Sequence, residues 1–134
     1  MPTIDVSKWK GRIEEITNFE MYVEQLVSWV GLISNSFASE IAFSVRSARE
    51  IAQDTLSPPQ VSRGLRLLNI LKTTFSGIPK ATVILNAYTE RSANFLVNGY
   101  EALRRLSQEF CVRTRSEAMH FRSQVMSKTT RFPL

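Results

Sequence analysis

Between Asn18 and Ile33 the sequence reads NFEMYVEQLVSWVGLI, and its apolar residues Phe19, Tyr22, Val23, Leu26, Val27, Trp29, Val30 and Ile33 recur at three- and four-residue intervals. Side chains so spaced share one face of an α-helix, so the stretch carries a broad apolar stripe that must be buried against other elements. Trp29 reads as part of that core. Helix-start signals recur along the rest of the chain. Thr17 precedes Glu20 by three residues, Ser57 precedes Gln60, Asn98 precedes Glu101, and Thr114 precedes Glu117. Each pair can exchange the side-chain and backbone hydrogen bonds of a capping box, and each stands before a stretch with helical spacing.

Ser34, Asn35 and Ser36 interrupt the first helix, and Ser36 is placed to cap a second with inner face Phe37, Ile41, Val45, Ala48, Ile51 and Ala52, ended by Asp54 to Ser57. Pro58 then occupies the first helical position after Ser57, where its missing N–H costs nothing. The third helix runs through Val61, Leu65, Leu68, Leu71 and Lys72, and Gly77 followed by Pro79 reads as its stop. A short fourth helix covers about Pro79 to Tyr88. The segment Thr82 to Leu85 has β propensity, but it fits a buried helix equally well and no partner strand is visible. A loop through Thr89 to Ala93, pinned by Phe95, Leu96 and Val97, leads to a fifth helix from Gly99 to Phe110. A sixth begins after Thr114 and turns Ala118, Phe121 and Val125 inward. The expectation is an all-α chain in a single compact bundle of about six helices: an N-terminal segment over 1–16, the bundle over 17–126 and a frayed tail over 127–134.

The 134 residues, 43% of them hydrophobic, suffice for one domain with a sizeable core. The longest apolar stretch, Leu26 to Ile33, falls far short of the roughly 20 residues of a membrane-spanning helix, so a soluble chain with no membrane span is expected. The start, Met1 to Val6, has neither the basic residues nor the apolar run of a secretory signal, which points to an intracellular, cytoplasmic chain, an organelle remaining the open alternative. Cys111 and His120 are single, so neither a disulfide within the chain nor a four-ligand zinc site can form from them. His120 reads as structural and Cys111, between Phe110 and Val112, as a packed thiol. Glu14, Glu15, Glu20 and Glu24 look solvent-facing. With no glycine-rich phosphate loop either, no catalytic, metal or cofactor site is expected, and no small-molecule substrate.

Charge is divided along the chain: residues 1–56 carry five Lys/Arg against eight Asp/Glu, and residues 57–134 carry twelve against four. Such asymmetry suits attraction to nucleic acid, an anionic surface or the acidic half of another copy. The candidate anion-facing or partner-facing set is Arg63, Arg66 and Lys72 on the third helix with Arg104, Arg105, Arg113, Arg115 and Arg122 on the fifth and sixth. No aromatic residues interleave with them, so RNA contact would run through phosphates, salt-sensitive and without base readout. Trp9, flanked by Lys8 and Lys10, is a candidate anchor, either to the bundle or to another subunit.

The segment GYEALRRLSQEF over 99–110, followed by RTRSEAMHFRSQVM over 113–126, resembles the Gag capsid domain of LTR retrotransposons, in which a helix of the form G-x-E-A-W-x-x-L-x-x-x-[FY] precedes a short turn and a further amphipathic helix. Leu103 stands where many members have Trp. Leu67, Leu68, Ile70 and Leu71, then Ala81 and Tyr88, fall in the order of the preceding capsid helices, and Trp9 followed by Phe19 is similar to the family's opening. The resemblance implies a capsid-like, non-enzymatic helical lobe that self-associates into a homo-oligomer or larger assembly around RNA. No C-x2-C-x4-H-x4-C knuckle, protease or polymerase motif accompanies it. The competing class is a small basic accessory subunit docking on a larger protein or nucleoprotein assembly.

Overall fold

In the computed structural model, which describes residues 1–87 and 98–111, the first helix starts earlier than its Thr17–Glu20 pair suggests. α1 spans Arg12–Gly31. Glu14 accepts the Gly11 N–H at 3.0 Å, and with Glu15 it sets two carboxylates in the first turn, where the helix dipole favours negative charge. Thr17 is therefore interior to the helix. Ile16 is buried, and so is Trp9 further upstream.

α2 spans Asn35–Arg46 and is capped by Ser34, not Ser36: the Ser34 hydroxyl accepts the Phe37 N–H at 3.2 Å. It ends well short of Asp54, because Ile51 has stronger partners outside a helix. Its N–H donates to Glu101 Oε1 at 2.8 Å, and its carbonyl accepts from Asn98 Nδ2 at 2.7 Å. Those bonds take both backbone groups that a longer α2 would need, so Ala48, Ile51 and Ala52 lie beyond the helix. α3, Pro58–Thr74, carries the expected box, with Gln60 and Ser57 exchanging bonds of 2.9 and 3.4 Å. Its inner face is Gly64, Leu67, Leu68 and Leu71, and Leu65 is exposed. α4 spans Pro79–Ala87, so the β-prone run at Thr82 to Leu85 is helical, and the Thr82 hydroxyl donates to the Ile78 carbonyl at 3.0 Å. α5 spans Gly99–Phe110.

Among the described residues the chain is thus an all-α bundle of five helices with two single 3-10 turns, Val6–Lys8 and Gln53–Thr55, and no strand. The expected sixth helix, with His120 and the Thr114–Glu117 pair, lies outside the described residues, as do the loop around Phe95 and the tail from Ser127. No described helix is long and apolar enough to cross a membrane.

α5 is the central element and touches the other four helices. Its approach to α3 is close enough to exclude a side chain. A Cβ on Gly99 would collide with the Gly64 carbonyl oxygen and stand 2.7 Å from the Leu68 nitrogen. At the other end of α5, Trp9 meets Phe110 and Phe75 edge-on, with ring centroids 5.2 and 5.6 Å apart. Phe19 and Tyr22 of α1 complete this aromatic cluster at 5.7 Å from Phe110 and 5.1 Å from Phe75. Trp9 therefore anchors the N-terminal residues to the chain's own core and is not an exposed subunit contact.

Gly99→Ala is expected to destabilise by roughly 1–3 kcal/mol or more, because the atoms it meets are backbone and cannot rotate away. Gly64→Ala meets the Tyr100 ring at 3.3 Å and the Gly99 nitrogen only at an ordinary 3.8 Å, and should cost less, partly offset by alanine's better helix propensity. Denaturant midpoints of the two variants check the order. Trp9→Ala, which empties the aromatic cluster, should cost roughly 3–5 kcal/mol in the same measurement.

Candidate functional site

Burying α5 places polar groups where water cannot solvate them, and the charged residues are organised around that requirement. Glu101 and Arg104, with side chains 3% and 7% exposed, form a two-pronged pair whose bonds are both 2.7 Å. Arg105 adds a bond of 3.2 Å to Glu101 from a half-exposed position. Asn98 caps the helix by accepting the Tyr100 and Glu101 N–H groups. Glu101 does not return the bond to Asn98 as a capping box requires, because its carboxylate is committed to Ile51 and the arginines.

A second network joins three helices. Glu40 of α2 receives two bonds from Arg63 of α3, at 2.8 and 2.6 Å, one from Gln60 at 3.2 Å, and one from the Tyr100 hydroxyl of α5. Arg63 holds the Glu40 carboxyl below its ordinary value, with Tyr100 and Gln60 adding to the effect and burial opposing it. At Glu101 burial acts to raise the value, but the bonds from Arg104, Ile51 and Arg105 outweigh it and keep the carboxyl low.

A third cluster closes the bundle. Arg12 at the start of α1 donates to the carbonyls of Glu109 and Cys111, the orphan acceptors at the end of α5, and pairs with Glu15 at 3.4 Å. Glu15, expected on a solvent-facing surface, is buried and also binds Lys80 of α4 at 3.1 Å. Burial pushes the Cys111 thiol up, with the Ser107 hydroxyl 3.3 Å away opposing it, so the sulfur stays protonated at neutral pH. Burial likewise pushes the Tyr22 hydroxyl up to about 12.

The sequence-predicted basic set is accordingly divided. Arg63 and Arg104 are held by internal carboxylates, and Arg105 is half-exposed while bonded to Glu101. Arg66 and Lys72 are exposed on α3. Six residues apart, they stand about 120° from each other around the helix axis and make no single stripe. Arg113, Arg115 and Arg122 lie outside the described residues. The residues sequence reasoning missed are Glu40, Tyr100, Gln60, Glu15 and Arg12 as internal partners. Surplus arginine on a helix that also carries a buried face was the available signal.

Two surface features remain. Leu32 and Ile33, in the turn between α1 and α2, are 86% and 75% exposed, and Phe43 on α2 is 64% exposed. Ile33, read as the end of the core stripe, thus lies outside it. A groove of about 600 Å³ runs along α1 and α2, lined by the apolar Phe19, Val23, Val27 and Val45, by the charged Glu20, Glu24 and Arg46, and by Cys111. Among the described residues no group of three or more His, Cys, Asp or Glu side chains is placed to hold a metal. Comparison with protein-family models, with curated proteins and with solved structures finds no match for this chain.

The two depressed glutamates predict acid sensitivity. Both bind a proton less readily folded than unfolded, so the stability they supply is complete above the ordinary glutamate value of 4.5 and is lost as pH falls through their lower folded values. The thermal midpoint should hold from about pH 7 to 5 and fall progressively below that range. Glu40→Gln, measured over the same series, should show a lower midpoint at neutral pH and a shallower fall in acid.

Proposed function

We propose that the chain is a non-enzymatic, self-associating helical domain of the Gag capsid type, with a second copy of itself as its partner. The observation that carries this reading is the exposure of Leu32, Ile33 and Phe43 on one helical hairpin. Isolated exposed apolar residues are ordinary, but three large ones on the α1–α2 hairpin provide the kind of anchor around which a protein interface forms. Many of the charges, by contrast, are engaged within the chain, as the Glu101, Glu40 and Glu15 networks record. Glu15 and Glu40 of the acidic first half are already paired with Lys80 and Arg63 of the basic second half, so a head-to-tail contact, which closes into a ring when its rotation permits, would rest on the apolar residues. Arg66, Lys72 and Arg105, still facing water, would supply nonspecific contact with RNA phosphates, weakening steeply with salt.

Light scattering over concentration and salt series tests the reading. The unaltered chain is expected to gain mass with concentration, and Leu32→Ser/Ile33→Ser and Phe43→Ser each to weaken association at least about tenfold, the loss of one well-packed anchor. Their thermal midpoints should change little, since none of the three side chains is buried. A strictly monomeric chain at every concentration and salt would overturn self-association and favour docking on a larger foreign assembly.

A further inference from the structure

We propose that the groove along α1 and α2 is the seat of the chain's own residues 114–126, packed in as an amphipathic helix. Three observations meet there. The described part of the chain ends at Cys111, which lines the groove, so the following residues start next to it. The apolar α1 lining repeats every fourth residue, Phe19, Val23 and Val27, a stripe about 12 Å long. The sequence after Cys111 supplies a matching element: the Thr114–Glu117 start signal, then Ala118, Phe121 and Val125 on one helical face over about 10 Å.

Direction and charge agree as well. Phe19 lies against Phe110, with ring centroids 5.7 Å apart, so the end of α5 adjoins the Phe19 end of the stripe. Val112 and Arg113 suffice for a turn, and a helix from Thr114 then has the whole groove ahead of it, toward Val27. Its apolar face is flanked by Arg115 and Arg122, whereas α1 lines the groove with Glu20 and Glu24 as well. Opposite charges would fix the orientation of a helix whose affinity comes from the apolar lining. The inference is independent of self-association: it concerns how one copy covers its own apolar surface.

The test uses the full chain with Cys111→Ser, so that only introduced thiols can react. Val27→Cys is combined in turn with Phe121→Cys and Val125→Cys, and Val83→Cys with Val125→Cys is the control, because Val83 is exposed on α4, away from the groove. Mild oxidation should give a disulfide-linked monomer in at least one Val27 pair, at least tenfold above the control. A disulfide-linked dimer would overturn the proposal in favour of a segment exchanged between copies, and no enrichment over the control would overturn it outright. Hydrogen exchange on the unaltered chain gives a readout that does not depend on those variants. Amides over 117–126 should be protected at least a hundredfold over unstructured peptide, and Phe121→Asp should abolish that protection while α3 and α4 keep theirs. Unprotected amides in the unaltered chain would overturn the proposal.

Discussion

The carboxylate of Glu101 is the group on which the rest of the arrangement depends. α5 passes through the middle of the bundle although its sequence, GYEALRRLSQEF, is rich in charge. Such a helix can be buried only if each polar group finds a partner there. Glu101 takes the guanidinium of Arg104 on two bonds, adds Arg105, and accepts the peptide N–H of Ile51. One residue thus neutralises the interior cation and fixes where the connection between α2 and α3 crosses α5. Removing Glu101 would take from the buried Arg104 guanidinium its two-pronged carboxylate, and breaking such a buried pair commonly costs roughly 3–5 kcal/mol.

This has a consequence for the surface. A basic chain invites the view that its arginines face an anion, yet two of the most prominent, Arg63 and Arg104, hold the bundle together. The net charge of +5 therefore overstates what the described faces present as an organised basic patch. What stands out instead is hydrocarbon: the Leu32–Ile33 turn, Phe43 and the groove along α1 and α2. Function by shape and apolar contact fits such a distribution better than function by a strong electrostatic field.

Much of this fold was legible in the residues, and what was not has physical reasons. The α3 cap at Ser57–Pro58 and the limits of α5 could be read because they depend on neighbours in sequence. The end of α2 could not, since Ile51 is drawn out by Asn98 and Glu101 from far along the chain. The start of α1 was misplaced because a glycine cap leaves no side-chain signature, whereas Thr17–Glu20 imitates one. Trp9 allowed two readings, and only the positions of Phe75 and Phe110 decide between them. Of the candidate surface, the exposed basic residues Arg66 and Lys72 could be found from sequence, but the internal use of Arg63 and Arg104 could not. Ion-pair partners such as Glu40 and Arg63 follow from helix packing, which periodicity does not specify.

The guanidinium of Arg12, bound to the carbonyls of Glu109 and Cys111, ties the first helix to the last one described. During synthesis α1 and its aromatic side chains therefore emerge well before Phe75, and earlier still than Phe110 and the end of α5. Contacts so distant in sequence close late and slow the search for the native state. Until then, the exposed rings of Trp9, Phe19 and Tyr22 would be natural clients for a chaperone.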